Sequence, residues 1–272
     1  MRAVGWGLAA MAALVAFPAW ALEAGQAAGR YVHEGARIEV THAIALSQDN
    51  TEGLLDHGPQ MRVLLSDRAV PIEALDGIAF PPVRAMARQG ALRGLLLEFS
   101  PADRNSMRIT ILDKPGDPDA FAPTLSLSDS NGLWRSLSSD SSHVTGDYKS
   151  IDDTDLNFTF DAPVSSDPVV ADLKGPAAQS SEQVRVLVAR AQALGRGDID
   201  AAVALTSRQS GADLKSMPPA ELKQVAASSS ALVAQLKAIR RVVVRRRSAN
   251  AIMGDGGWSS LVFEDGAWKV AD

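Results

Sequence analysis

The spacing of apolar residues changes from a helical to a strand-like period within residues 181–272, and this change constrains the fold more than any other feature. Apolar residues first recur at three- and four-residue intervals, at Val184, Leu187, Val188, Ala191 and Leu194. That spacing places them on one face of a helix. After Ile239 the pattern becomes β-like, and Asp265-Gly266 is a strong signal for a two-residue hairpin turn. The segment therefore predicts an α+β domain with helices packed on a curved antiparallel sheet.

Start and stop signals divide the helical part of this segment into three predicted helices. Ser181 can cap the first through its hydroxyl group, and Asp198 can cap a short second one. Gly195 favours a stop between them. Pro218-Pro219 suits the first turn of the third helix, because proline has no backbone N–H to satisfy there.

Two short motifs in this segment resemble those of a known superfamily. ALGRGDIDAAVAL (residues 193–205) gives a helix, a Gly-Asp break and a second helix, and VFEDGAWKVAD (residues 262–272) gives a strand pair with tryptophan. Together they resemble the nuclear transport factor two-like, or SnoaL-like, cone fold. The resemblance covers roughly residues 180–272 and implies a cone-like domain. Because that superfamily includes isomerases, hydrolases and binding subunits, it implies no single function.

Residues 1–21 have the three-part layout of a secretory signal peptide. Arg2 supplies a positive charge, an apolar run extends from Gly5 to Phe17, and Ala19-Trp20-Ala21 offers a cleavage site after Ala21. The run is shorter than the roughly 20 residues that a spanning helix needs. We therefore expect a periplasmic or secreted protein with no stable membrane span after cleavage.

The chain contains no cysteine, although an exported protein enters a compartment that permits disulfides. No disulfide, thiol nucleophile or thiolate metal site can form. The fold must therefore depend on ordinary hydrophobic cores.

Charge is divided unevenly along the sequence. Residues 22–170 carry 12 basic and 22 acidic side chains, whereas residues 171–272 carry 14 and 10. This asymmetry favours two units: a mostly β domain at residues 22–165 and the α+β domain at residues 181–272. Residues 166–180 contain prolines and small polar residues, and we interpret them as a linker. Opposite charges could draw the two units together and hide the basic residues.

Short apolar or alternating runs, separated by Pro, Gly, Asp and Ser, characterise residues 22–165. In LNFTFDAP, the side chains of Leu156, Phe158 and Phe160 share one face of a strand. The prolines of Pro81–Arg88 predict a short helix. This pattern favours a β-sandwich or a partly open barrel.

The segment RRVVVRRR, residues 240–247, places five arginines in a chain whose net charge is -5. In a strand, Arg241, Arg245 and Arg247 lie on one face. One interpretation is a strand whose arginines extend into water or pair with the acidic first unit. The other is an anion site formed by these three arginines, because the guanidinium fork binds carboxylate or phosphate groups bidentately.

Other catalytic or metal-binding motifs are weak. The histidines, which are His33, His42, His57 and His143, form neither HxH nor HExxH, and the sequence has no G-x-S-x-G elbow for a serine nucleophile. Acidic stretches at residues 49–56 and 152–155 lack the EF-hand spacing for calcium. We therefore expect no metal and no cofactor.

The resemblance also implies where a catalytic group would be found. Catalytic members of the cone superfamily place an Asp, His or Tyr in the cavity, but residues 181–272 contain no His or Tyr. No catalytic residue is carried over, although Asp213 or Glu221 could still enter a pocket. Trp258 and Trp268 are more typical of a core than of a ligand platform.

Together these observations favour an exported, non-catalytic binding or accessory protein of the bacterial cell envelope. Its expected partner is an envelope protein or a small anionic ligand. Nucleic acid is disfavoured, because the basic segment is short and the protein is acidic. The alternatives are a small-molecule isomerase or hydrolase that uses a C-terminal cavity, and a structural module that forms a homodimer.

Overall fold

Two β-sheets, the second of which is interrupted in sequence by a group of helices, form the architecture. The computed structural model describes residues 22–33, 36–50, 58–77, 82–114, 124–127, 132–150 and 155–271. Within these ranges the chain forms a nine-stranded sheet and then a five-stranded sheet. Five helices lie between the first and second strands of the smaller sheet.

The larger sheet is formed by the first nine strands. They are β1 (Gln26–His33), β2 (Ala36–Asn50), β3 (Gly58–Ser66), β4 (Gly94–Ser100), β5 (Asp103–Leu112), β6 (Thr124–Leu127), β7 (Gly132–Ser139), β8 (His143–Ser150) and β9 (Asp155–Asp167). Their order across the sheet is β6-β5-β4-β3-β2-β1-β9-β8-β7. All neighbours are antiparallel, but residues 45–48 at the end of β2 also pair in parallel with residues 164–167 at the end of β9.

This sheet is curled, and both of its faces bury apolar side chains. Val63, Leu97 and Phe158, from strands far apart in the sheet order, belong to the same core on one face. On the other face Leu64 and Leu96 pack with α1 (Pro82–Arg88) and with a 3-10 turn at Ile72–Leu75. Burial on two faces explains why β3 and β4 have nearly continuous apolar sequences.

The smaller sheet contains five antiparallel strands in consecutive order. They are β10 (Val169–Lys174), β11 (Arg241–Arg245), β12 (Ser248–Ile252), β13 (Trp258–Glu264) and β14 (Ala267–Val270). The intervening helices are α2 (Pro176–Gln179), α3 (Glu182–Gly195), α4 (Ile199–Ala204), α5 (Arg208–Ser216) and α6 (Pro219–Lys237).

Several local predictions are confirmed. The Ser181 hydroxyl accepts a hydrogen bond from the Val184 amide at 3.3 Å, and the Asp198 carboxylate accepts one from the Ala201 amide at 3.1 Å. The turn between β13 and β14 has φ of 52° at Asp265 and 78° at Gly266. These left-handed values match the hairpin type that Asp-Gly favours.

The predicted fold class is wrong: the structure is mostly β, and residues 181–272 do not form an α+β cone. Part of the helical segment packs on itself rather than on the sheet, in a separate cluster that contains Leu194, Leu214 and Leu222. The smaller sheet is also buried on the face that carries Val243 and Asn250, opposite its contacts with α3 and α6. The cone prediction failed because the two motifs encode local helices and a hairpin, but not how the layers assemble.

The larger sheet also differs from the expected sandwich, because the described strands of the first unit belong to one curled sheet. The segment interpreted as a linker carries regular structure: the end of β9, all of β10 and α2 lie within residues 166–180. Only Pro168 separates β9 from β10. The chain therefore passes directly from one sheet into the other, while the domain boundaries themselves stay a prediction.

The close approach of β1 to β9 at Gly29 gives a stability prediction. A Cβ atom at this position would lie 2.3 Å from the Asn157 carbonyl oxygen and 2.5 Å from the Phe158 Cα atom. Because both atoms belong to backbone, the strands must separate, and we expect Gly29→Ala to lower the free energy of unfolding by about 2 kcal/mol. Urea denaturation followed by circular dichroism measures this.

Gly211→Ala is the matched control. Gly211 lies within α5, and a Cβ atom there would lie 3.5 Å from the Val203 side chain, which is an ordinary contact distance. Alanine favours helix by up to about 1 kcal/mol over glycine, so we expect this variant to be as stable as the wild type or more so. Equal stability of Gly29→Ala and the wild type would contradict the strand packing described.

Candidate functional site

The three arginines of the predicted anion site lie in three different surroundings. The Arg241 guanidinium binds the Asp172 carboxylate on the neighbouring strand β10, with Nε 2.8 Å from Oδ1. Arg245 is completely buried and donates a hydrogen bond to the Asp49 carbonyl oxygen of the larger sheet. The Arg247 guanidinium lies 3.1 Å from Asp76 and 3.9 Å from Glu73.

These contacts do not bring the three side chains together around one solvent-facing cleft. Arg245 and Arg247 face the larger sheet. This is the direction expected if the arginines contact the acidic first unit. The exposed arginines of the segment are instead Arg240 and Arg246. An anion site at Arg241, Arg245 and Arg247 stays a prediction, and it would require Arg245 and Arg247 to leave these contacts.

Arg247 belongs to a buried polar cluster that connects the two sheets. We call this cluster the junction and define it by seven residues: Gln48, Arg62, Asp76, Asp167, Arg245, Arg247 and Ser248. They come from β2, β3, the end of the 3-10 turn, the last residue of β9, and the connection of β11 to β12. The junction therefore joins elements that are distant in the sequence.

The carboxylate of Asp167 is the main acceptor of the junction, and Asp167 is completely buried. Its Oδ2 accepts hydrogen bonds from Ser248 Oγ at 2.8 Å and from Gln48 Nε2 at 3.2 Å. Its Oδ1 accepts one from the Arg247 amide at 3.1 Å. A buried carboxylate needs such donors, because they replace the water that burial removes. Two of the three donors belong to the smaller sheet or its turn.

Arg62 occupies the side of the junction that faces the larger sheet. Its guanidinium donates to Glu98 at 3.0 Å, to the Leu75 carbonyl oxygen at 3.1 Å and to the Gly77 carbonyl oxygen. Burial lowers the pKa of Arg62 from its usual value, the Glu98 carboxylate opposes that change, and the positive charge of Arg245 adds to it. Two arginines thus lie in one buried region, held by carbonyl and carboxylate oxygens.

A groove on the outer face of the larger sheet combines an open cavity with several polar groups. It has a volume of about 610 Å³ and lies over β1, β2 and β9. Its polar and floor residues include Ala28, Arg30, Glu39, Thr41, Asn157 and Thr159. In the strand register Arg30 lies between Glu39 and Asn157, and Ala28 pairs with Thr159. The small side chain of Ala28 leaves the floor of the groove low.

Charged groups of both signs surround the groove. Arg30 Nε lies 2.8 Å from the Asp155 carboxylate, and Arg37 Nη2 lies 2.6 Å from Glu39. Both arginine side chains are more than half exposed. Exposed pairs of this kind contribute less than about 1 kcal/mol to stability. Their donors and acceptors can therefore exchange partners with a ligand at little cost to the fold.

A second cavity of about 370 Å³ lies between α2, α3 and the end of α6. Val184 and Val188 contribute apolar surface, while Arg185 and Lys237 are its charged lining residues. No carboxylate is found among its described lining residues. The two acids considered as catalytic candidates, Asp213 and Glu221, are exposed on α5 and α6.

The remaining sequence candidates do not form a catalytic site within the described ranges. His143 Nδ1 lies 2.7 Å from Asp161, but no described hydroxyl group bonds to the His143 ring. His42 contacts Thr41 Oγ1 at 2.9 Å. His57 and the side chain of His33 lie outside the described residues, as do most of both acidic stretches considered for calcium. Elsewhere, no group of three potential metal ligands occurs among the described residues.

Of the two tryptophans that we expected in a core, Trp268 is buried and Trp258 is not. Trp268 is buried in the core between the smaller sheet and the helices, with its ring 5.3 Å from that of Phe263. Trp258 is partly exposed at the start of β13.

Comparisons with known proteins give no match to a protein-family model, to a curated protein or to a solved structure. They therefore neither support nor refute a relationship to the cone superfamily. No helix in the described ranges is both long and apolar enough to span a membrane.

Sequence reasoning missed the groove and the acidic half of the junction. Asp167 stands in the segment interpreted as a linker, where its burial is not evident. One signal was available, because Val169, Ala171 and Leu173 alternate with more exposed residues in β10. Recognition of that strand would have placed Asp167 between two sheets.

The geometry of Asp167 predicts that this residue matters more than other carboxylates of the same region. Asp167→Ala would leave the Gln48 amide, the Ser248 hydroxyl and the Arg247 N–H buried without their acceptor. We expect the free energy of unfolding to fall by about 3–5 kcal/mol, as for other broken buried charge networks. Chemical denaturation monitored by tryptophan fluorescence measures the loss.

Asp172→Ala is the control for this prediction. It removes the partly exposed pair with Arg241 on the smaller sheet, which should cost less than about 1 kcal/mol. If the two variants lose the same stability, the junction does not have the role assigned to Asp167.

Proposed function

We propose that this protein is an exported, non-catalytic binding or accessory protein of the bacterial cell envelope, and that its ligand binds in the groove over β1, β2 and β9. The proposal of export rests on the signal-peptide pattern of residues 1–21. The proposal of binding rests on one observation: the groove presents polar groups of both charges, and the arginines among them form exposed ion pairs.

The lining of the groove favours an anionic saccharide. Arg30 and Arg37 supply planar donors that suit a carboxylate group. Asn157 can both donate and accept hydrogen bonds, and Thr41 and Thr159 add hydroxyl groups. These groups complement the hydroxyls of a sugar ring, whereas none of the described lining residues is an aromatic one that would favour an apolar ligand. An acidic polymer of the envelope has this chemistry.

The groove residues support binding rather than turnover. Among the described residues that line it, Glu39 is the single carboxylate. Glycoside hydrolysis generally uses a pair of carboxylates on either side of the scissile bond. The enzyme alternative required a cavity in a C-terminal cone, and that cone is not formed. The other alternative, a structural module that forms a homodimer, is tested by light scattering on the protein.

Titration by nuclear magnetic resonance tests the proposal. Residues 22–272, labelled with ¹⁵N, are titrated with a uronic-acid oligosaccharide and with its neutral counterpart. We expect the acidic compound to shift the amide signals of Ala28, Thr41 and Thr159, and to bind at least about tenfold more tightly than the neutral one. That factor corresponds to about 1.4 kcal/mol, the contribution of one charge-assisted interaction.

Two tryptophan variants provide the matched comparison. Ala28→Trp fills the floor of the groove, and we expect it to weaken binding at least about tenfold. Thr145→Trp adds the same side chain to an exposed position of β8 outside the lining, and it should bind as the wild type does. Absence of groove shifts with both saccharides, or release of a cleaved product, would contradict the proposal.

A further inference from the structure

The cavity between α2, α3 and the end of α6 has an apolar floor and a cationic rim. Val184, which is only 3% exposed, and the partly buried Val188 and Ala189 supply the floor. The exposed side chains of Arg185 and Lys237 supply the rim. The volume of about 370 Å³ lies within the range of small-molecule pockets, which begins at about 300 Å³. An apolar surface with a few polar groups is the usual lining of such pockets.

The sequence of α3 explains why one side of this helix remains available to a ligand. Val184 and Val188 are four residues apart, and Arg185 and Ala189 form the adjacent row. Residues at this spacing are neighbours on a helix surface, so the four side chains share one side of α3. Val184 and Leu187 reach the core that α3 shares with the smaller sheet. Val188 and Ala189 are covered only in part, and they border the cavity.

The two cations of the rim have no counter-charge within the described part of the chain. Neither Arg185 nor Lys237 forms an ion pair or a side-chain hydrogen bond there. No carboxylate occurs among the described residues that line the cavity. In contrast, Arg241 of the smaller sheet pairs with Asp172. The rim is therefore complementary to an anionic group and unsuited to a cationic one.

We propose that this cavity binds a small anionic amphiphile, namely a single alkyl chain that ends in a carboxylate. The chain lies against Val184, Val188 and Ala189, and Arg185 and Lys237 bind the carboxylate. Burial of methylene groups supplies most of the affinity, and the two cations set the preference for negative charge. The cavity shares no lining residue with the groove over β1, β2 and β9, so this inference does not depend on the proposed function.

Three eight-carbon compounds test the preference for charge: octanoate, the neutral octanamide and the cationic octylammonium. Each is titrated, below the concentration at which it forms micelles, into ¹⁵N-labelled residues 22–272. We expect octanoate to shift the amide signals of Val184, Val188 and Ala189. It should bind at least about threefold more tightly than octanamide, as exposed charge pairs allow, and octylammonium should bind more weakly than octanamide. Equal affinity for the three compounds, or no shift at these amides with octanoate, would overturn the proposal.

The length of the alkyl chain tests the role of the apolar floor. Butanoate, hexanoate and octanoate carry the same head group, so differences between them report the burial of methylene groups. We expect each added pair of methylenes to tighten binding at least about fourfold, even when they are only half buried. Affinity that does not depend on chain length would contradict the assignment of the floor.

Two tryptophan variants locate the site. Ala189→Trp fills the floor of the cavity, and we expect it to weaken octanoate binding at least about tenfold. Ala220→Trp adds the same ring at an exposed position in the first turn of α6, roughly 25 Å along the helix axis from Lys237. It should bind octanoate as the wild type does. Wild-type affinity in a folded Ala189→Trp protein would place the ligand elsewhere and overturn the proposal.

Two lysine variants decide the question even if Ala189→Trp does not fold. Lys237→Gln and Lys223→Gln each remove one exposed lysine of α6, but only Lys237 lines the cavity. We expect Lys237→Gln to reduce the preference for octanoate over octanamide at least about twofold and to leave octanamide binding unchanged. Lys223→Gln should keep both affinities. A preference that survives both Lys237→Gln and Arg185→Gln would overturn the role of the rim.

Vesicles distinguish a free amphiphile from a membrane surface as the source of this chemistry. The wild type is sedimented with phosphatidylglycerol vesicles, whose head groups are also anionic. Octanoate that binds as a monomer, with the shifts described, supports a cavity for a single chain. Binding to the vesicles without binding of monomeric octanoate would contradict it.

Discussion

The buried carboxylate of Asp167 is the interaction on which the arrangement of the two sheets depends. Asp167 is the final residue of β9, the last strand of the larger sheet along the chain. It accepts hydrogen bonds from the Arg247 amide and from the hydroxyl of Ser248, the first residue of β12. Because a completely buried charge is costly without partners, every arrangement that separates Ser248 and Arg247 from Asp167 is disfavoured. The parallel pairing of β2 with β9 places Gln48 beside the same carboxylate, so the topology of the larger sheet also supports it.

The unusual arginine segment acquires a structural explanation from this arrangement. Val242 and Val244 enter the core shared with the helices, whereas Arg245 projects from the opposite face of β11 toward the larger sheet. The length of the arginine side chain allows its guanidinium to donate a hydrogen bond to the Asp49 carbonyl oxygen of that sheet. The oxygen that Arg245 binds is a backbone carbonyl of the first unit, whereas Arg247 lies 3.1 Å from the Asp76 carboxylate. It is therefore the contact of Arg247 that joins opposite charges of the two units. The charged pairs of the groove differ from those of the junction, because the side chains of Arg30 and Arg37 remain exposed.

The sequence predicted local structure more accurately than assembly. The caps at Ser181 and Asp198 and the Asp265-Gly266 hairpin could be predicted because the signals lie within a few residues of one another. The assembly that replaces the predicted cone could not be predicted in this way, because the path of β10 into the smaller sheet depends on contacts with residues about seventy positions away, such as Asp172 with Arg241. For the junction, the sequence showed the arginines but not their partners. The burial of Asp76 and Asp167 arises only when both sheets are assembled, and neither residue belongs to a recognisable motif.

Native-state hydrogen exchange tests most directly whether the junction makes the two sheets one cooperative unit. At pH 6 the slowest amides of β3 and β4 are compared with those of β12 and β13, since each set reports the opening of its own sheet. The account predicts that both sets exchange with the same free energy, through one global unfolding reaction. Exchange of β12 and β13 at a distinctly lower free energy, with β3 and β4 still protected, would contradict it.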